Sequence, residues 1–194
     1  MNKLANTIAL LSFLFILFSC TNKKNHLEII TNQWIGTEII LPKTVDSATP
    51  SVDAANFNSI EKRCKILIYA DSIGCVSCKL NLSGWKLFIE DVEKSHPNQV
   101  EFIFFINSIE YDVINLIIKY HEFDHPIIIN KENIIGKLNN IPKEINLQVF
   151  LLNNNNKVLL VGDPTSDMNI KNLYIETIEN IIIETGLNSE YFRK

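Results

Sequence analysis

The sequence predicts an α/β fold: a mixed central β-sheet with helices on both faces. Two apolar runs of strand length, Lys65-Ile66-Leu67-Ile68-Tyr69 and Phe102-Ile103-Phe104-Phe105-Ile106, read as central strands buried on both sides. Each run is followed by a segment whose apolar residues recur at helical spacing, which implies parallel strands joined by crossover helices. Further on, two apolar stretches flank Asn153-Asn154-Asn155-Asn156, and this polar tetrad reads as the turn of a hairpin.

Taken in order, Trp34-Ile35-Gly36-Thr37-Glu38-Ile39-Ile40-Leu41 carries a short strand signal that stops at Pro42. Residues 43–58 are rich in Ser, Asp, Ala and Pro and predict a surface loop or insertion. Strand 64–70 leads through Asp71-Ser72-Ile73-Gly74 into a helix over about 76–94. Strand 100–106 leads into a helix over about 108–120. Pro126 to Ile129 forms a short strand, with a short helix around 131–139 behind it. Leu147–Leu152 and Lys157–Val161 are the hairpin strands, and a last helix runs over about 168–185, ending before Gly186.

The chemistry concentrates at Cys75-Val76-Ser77-Cys78, where strand gives way to helix. Two cysteines three apart in a first helical turn have α-carbons about 5 to 6 Å apart, within disulfide range. The first thiol sits at the positive end of the helix dipole, which favours its thiolate. Cys78, Leu82, Trp85, Ile89 and Val92 recur at steps of four, three, four and three, one helical face that must pack on the sheet. This places Cys78 on the buried stripe and Cys75 at the mouth, so Cys75 is the attacking thiolate and Cys78 resolves the mixed disulfide. Cys64, at the start of the preceding strand, reads as a small buried hydrophobe.

Strand, turn, C-x-x-C at a helix start, then the remaining order of elements over roughly residues 34–185, resembles the thioredoxin-like fold, a three-layer sandwich. The extra strand and helix at about 126–139 resemble the insertion of the TlpA-type and peroxiredoxin-type branch. Trp34, Gly36 and Ile39 are similar to the W-x-G-x-x-I opening strand of small Gram-negative lipoproteins of that branch. The resemblance implies thiol–disulfide exchange in the periplasm with protein thiols and disulfides, a redox-recycling partner and no bound cofactor. Three positions depart from it: Gly74 stands where a Trp usually precedes the first cysteine, and Tyr69 where many members carry a buried acid. Leu147 falls at the site of the family's cis-proline, with Pro142 five residues earlier.

At the N-terminus, Lys3 precedes a run from Ile8 to Phe18 that is apolar apart from Ser12, the length of an export-signal core rather than a bilayer span. Leu17-Phe18-Ser19-Cys20 resembles the lipobox of bacterial lipoproteins, which implies cleavage before Cys20 and its acylation. The expected organisation is therefore a signal peptide over 1–19, a tether over 20–33 and a thioredoxin-like domain over 34–194, held outside the cytoplasm by the lipid. Without residues 1–19 about 175 residues remain, with 17 basic against 22 acidic side chains, a formal charge of −5. That length supports one domain with a sizeable core. Charges are interspersed without a basic block, so nucleic-acid binding has no electrostatic support.

Other chemistries fare worse. A C-x-x-C loop adds little chain entropy as a structural staple. His121 and His125 have H-x₃-H spacing, but a helix returning from strand 100–106 is expected to leave them at the far end of the sheet, so no metal site is predicted. Copper handling needs C-x₃-C, and Cys75 replaces the threonine of a peroxidase T-x-x-C. The alternative of a different class is a thioredoxin-fold lipoprotein that binds a partner without turnover.

Overall fold

The computed structural model describes residues 31–42, 62–70, 80–129, 132–141 and 148–191. The chain divides into two units, residues 1–35 and 36–194. In the first, residues 31–34 are helical, and Ile35 N donates to Thr31 O at 3.3 Å. The predicted opening strand therefore does not begin at Trp34. Of residues 36–42, at the start of the second unit, only Glu38 pairs as strand, in an antiparallel bridge with Lys157. Gly36, at φ +81, turns the chain into that bridge, a conformation that favours glycine.

Among the described residues nine elements follow: β1 (Cys64–Ala70), α1 (Leu82–Ser95), β2 (Val100–Ile106), α2 (Tyr111–Tyr120), β3 (Ile127–Ile129), α3 (Ile134–Asn139), β4 (Val149–Asn153), β5 (Val158–Val161) and α4 (Met168–Tyr191). They build a five-stranded sheet in the order β3-β2-β1-β4-β5. β1 pairs parallel with β2, Cys64 opposite Val100 and Ala70 opposite Ile106, and β2 pairs parallel with β3. β4 runs antiparallel to β1 and to β5. Every residue of β1 is buried, as its continuous apolar run requires.

The strand period of two sorts β1 onto two faces. Cys64, Ile66, Ile68 and Ala70 share one core with Trp85 and Phe88 of α1, Ile114 of α2 and Tyr174 of α4. Trp85 meets Phe88 and Phe104 edge-on, with ring centroids 5.8 and 5.6 Å apart. On the other face Tyr69 donates its hydroxyl to Asn133 Oδ1, at the cap of α3, at 2.6 Å. Helices thus cover both faces, as predicted.

Lys65 projects from β1 yet is only 3 % exposed. Its ammonium donates to Asn156 Oδ1 at 2.8 Å and to Asn154 O at 3.4 Å. The asparagine run is thus the predicted hairpin turn and also the lid over a buried cation. Burial pulls the Lys65 pKa down, and Glu101 works against that shift.

Two helix ends differ from expectation. α2 starts at Tyr111 rather than near 108, because Ser108 Oγ accepts from Glu110 N at 3.0 Å and holds a turn there. α4 continues through Gly186 to Tyr191. A glycine ends a helix when it takes the left-handed conformation of a C-terminal cap, and Gly186 stays helical.

Candidate functional site

Cys75 and Cys78 fall within residues 71–79, and Cys20 within 1–30, all outside the described residues. Leu147 and Pro142 also lie outside them. The residues on either side of the C-x-x-C segment define its frame.

β1 delivers the chain to that segment at Ala70, level with the end of β2, where Asn107 N donates to Ala70 O at 2.7 Å. β4 begins alongside: Ile68 pairs with Val149, and Tyr69 N donates to Gln148 O at 2.9 Å. Residues 71–79 therefore leave the C-terminal end of the central strand, next to the start of the antiparallel strand. In α/β sheets ligands and reactive groups gather at this edge.

The far side of the segment is less regular than the sequence suggests. The predicted helix over 76–94 is observed as α1 from Leu82, and Asn81 stands before it in the left-handed region (φ 36, ψ 48). Leu80 and Leu82 are both buried. Residues two apart on one helix point about 200° apart, so a continuous helix cannot bury both. The left-handed residue between them turns Leu80 into the core. Leu82, Trp85, Ile89 and Val92 form the predicted buried stripe, with Phe88 added. Among the described residues the stripe begins at Leu82, and Cys78 lies outside them.

What holds Asn81 was not foreseen. Its Nδ2 donates to Thr165 Oγ1 at 2.8 Å, and Thr165 donates through Oγ1 and N to Asp163 Oδ1, each at 2.7 Å. This chain ties the start of α1 to the loop after β5. The Asn81 side chain also lies over Gly84, where a Cβ would stand 2.4 Å from Nδ2. Gly84 thus leaves the space that the Asn81 side chain occupies. Asn133 and Gly136 share the spacing at α3, but there the side chain caps the helix, Asn133 Oδ1 accepting from Gly136 N at 3.1 Å, whereas Asn81 makes no such bond to α1. The shared N-x-x-G spacing was the visible signal.

Beside this tie lies a groove of about 210 Å³, lined by Gly84, Leu87 and Phe88 from α1 and by Thr165, Met168 and Lys171 from the loop and α4. Lys171 closes one end through a 2.6 Å ion pair with Asp91. Below it Tyr174 is fully buried, and its hydroxyl donates to Gly162 O at 2.9 Å and more weakly to Val149 O at 3.4 Å. Burial, reinforced by the Asp163 carboxylate, pushes the Tyr174 phenol well above its usual range. Tyr174 thereby anchors the first residue of β4, the strand beside the dithiol segment.

His121 corrects an expectation. It shares a 2.9 Å hydrogen bond with Ser83 Oγ, in the first turn of α1, instead of lying at the far end of the sheet. β3 enters the sheet opposite Phe104, near the end of β2, so the chain after α2 need not return the full length of the strands. His125 packs between Phe102 and Phe123. Among the described residues no group of three or more His, Cys, Asp or Glu is placed to hold a metal ion. Cys64 is free and fully buried, and burial pushes its thiol up to about 12. It stays protonated, as a packing residue should.

No family model matches the sequence, and no curated protein does. Solved structures do match. A Chlorobium tepidum protein provisionally assigned as a thiol:disulfide interchange protein DsbE superposes with a TM-score of 0.57 at 11 % identity, over 74 % of this chain and 97 % of that one. A Cytophaga hutchinsonii domain provisionally described as a thiol-disulfide isomerase gives 0.53 at 10 % identity, over 74 % and 93 %. An Aquifex aeolicus protein provisionally described as an electron transfer protein gives 0.52 at 13 % identity, over 76 % and 96 %. At these identities the likeness establishes the fold, which is thioredoxin-like.

Proposed function

We propose that the chain is a lipid-anchored, extracytoplasmic protein that exchanges disulfides through Cys75 and Cys78. One observation carries the reading: the segment holding the C-x-x-C leaves the central strand of a thioredoxin-like sheet at its C-terminal edge, beside the start of β4. The anchor at Cys20, the signal peptide over 1–19 and the tether over 20–33 rest on the lipobox resemblance. Among the described residues no helix is long and apolar enough to cross a membrane.

In the proposed reaction the Cys75 thiolate attacks one sulfur of a substrate disulfide. A mixed disulfide forms, and the other substrate sulfur leaves as a thiolate that takes up a proton. Cys78, once deprotonated, attacks Cys75 Sγ and releases the second substrate sulfur. Two electrons have passed to the substrate, and the Cys75–Cys78 disulfide must be reduced by an external dithiol partner. The groove between α1 and the 163–168 loop, with Leu87 and Met168 exposed, offers an apolar shelf for a polypeptide.

A second reading, partner binding without turnover, is favoured by Tyr69. Where an acid would assist deprotonation of the second thiol, its phenol is buried and committed to Asn133. Trapping separates the two. The Cys78→Ala chain, expressed in its exported form, is expected to accumulate mixed disulfides that a reductant dissolves and that Cys75→Ala abolishes. If Cys78→Ala captures no disulfide-linked partner, the exchange reading falls and the binding reading stands.

A further inference from the structure

We infer that α2 carries a self-association surface, on which a second copy of this chain docks antiparallel across a two-fold axis. α2 has two apolar sides where a core needs one. Ile114 is buried, and Ile117 and Ile118 pack against the core. On the outward side Val113, Leu116 and Tyr120, three and four residues apart, are 47, 68 and 84 % exposed, and Ile109 just ahead of the helix is 75 % exposed. That spacing makes one continuous stripe. Exposed apolar area of this kind amounts to on the order of 500 Å². Contiguous patches of such size on a soluble surface mark interaction sites.

The occupant is argued from the order of the residues along the stripe. A two-fold axis perpendicular to a helix reverses its direction and sets each flank against the same flank of the copy. Val113 then meets Leu116 of the second copy, and Tyr120 meets Ile109. On the flank shared by Asp112 and Lys119, each carboxylate meets the ammonium of the other copy. The two apolar pairings share a midpoint between Ile114 and Asn115, and the charged pairing centres one residue, about 1.5 Å, further along, an offset the long Lys119 side chain spans. Asp112 and Lys119 are exposed, and no ion pair is recorded for either among the described residues. Burying the stripe on both copies removes about 1,000 Å², the lower edge of a specific interface, which implies a reversible dimer. An anionic bilayer fits less well, because Glu110 and Asp112 stand at the N-terminal end of the stripe.

The test is sedimentation equilibrium of the full chain in density-matched non-ionic detergent, across about a hundredfold range of concentration. A monomer–dimer equilibrium is expected. Leu116→Asp, at an exposed position, should leave the far-ultraviolet circular dichroism unchanged and raise the dimer dissociation constant at least about tenfold. Asp112→Lys should weaken it roughly fivefold, because symmetry doubles the pair. Adding Lys119→Asp to the same chain should restore affinity to within about twofold. Three results overturn the proposal: a monomer at every concentration, a dimer indifferent to Leu116→Asp, or a charge swap without recovery. Cosedimentation with phosphatidylglycerol vesicles that Leu116→Asp abolishes, while the chain stays monomeric, would assign the stripe to a bilayer instead.

Discussion

Replacing a helical glycine with alanine ordinarily stabilises a protein by up to about 1 kcal/mol, through helix propensity and a stiffer unfolded chain. Gly84→Ala should do the opposite. The new Cβ would lie 2.4 Å from Asn81 Nδ2, 2.9 Å from its Cγ and 3.0 Å from its Oδ1. α1 is fixed by Trp85, Phe88 and Ile89 in the core, so the Asn81 side chain must swing away. Its 2.8 Å bond to Thr165 is then lost, which costs about 1 kcal/mol, and the displaced rotamer costs about 1 more. Against the propensity gain the net is a destabilisation of about 1 kcal/mol. In an Asn81→Gly background, which keeps the left-handed backbone and removes the side chain, the same alanine should stabilise by up to about 1 kcal/mol. A double-mutant cycle from urea unfolding should therefore give a coupling of about 2 kcal/mol with unchanged m-values. A gain of similar size in both backgrounds would refute the assignment of Gly84 as the seat of the Asn81 side chain.

Three further outcomes are expected. Tyr174→Phe strands the carbonyl of Gly162 and weakens the hold on Val149, lowering stability by about 1 to 2 kcal/mol by urea titration. Asn156→Gly tolerates the positive φ of 58 but deprives the buried Lys65 ammonium of its 2.8 Å acceptor, and should cost about 2 kcal/mol. An Asn156→Gly chain as stable as the parent would remove the turn's role as lid. The Cys64 thiol is raised by burial from an ordinary value of 9.0 to about 12. Its contribution to stability is therefore fully present below pH 9 and is lost as pH rises from 9 towards 12, because the unfolded thiol ionises first. Cys64→Ala should flatten that part of the pH–stability curve, and an unchanged slope would show the thiol is not so shielded.

β1 and β2 were legible to the residue, because a buried central strand declares itself as an unbroken apolar run bounded by polar residues. The core stripe of α1 was equally plain from Leu82 onward. The start of α1 was not. Periodicity reports which residues share a helical face, not whether one residue between them leaves the helix, and the left-handed Asn81 is invisible to that test. Its partners Thr165 and Asp163 are more than 80 residues away, joined to it only by folding. The N-x-x-G spacing at Asn81 and Asn133 was present, but each glycine alone reads as a weak helix position. His121 was misplaced because β3, read correctly as short, enters the sheet near the end of β2, which the sequence does not reveal. β3 has three residues, and a short edge strand shortens the path back. Lys65 sits inside an apolar run, and nothing local distinguishes a buried, hydrogen-bonded lysine from an edge position.

The central claim is that Cys75 and Cys78 form a reversible dithiol at the C-terminal edge of β1. Its most direct test is equilibration of the chain in glutathione buffers of graded ratio, followed by acid quench, alkylation and mass measurement of the peptide spanning both residues. The account predicts one cooperative two-electron transition, in which both thiols are lost together while Cys64 remains reduced throughout. Two thiols that stay free at every ratio, or that form separate adducts with glutathione without joining each other, would contradict it.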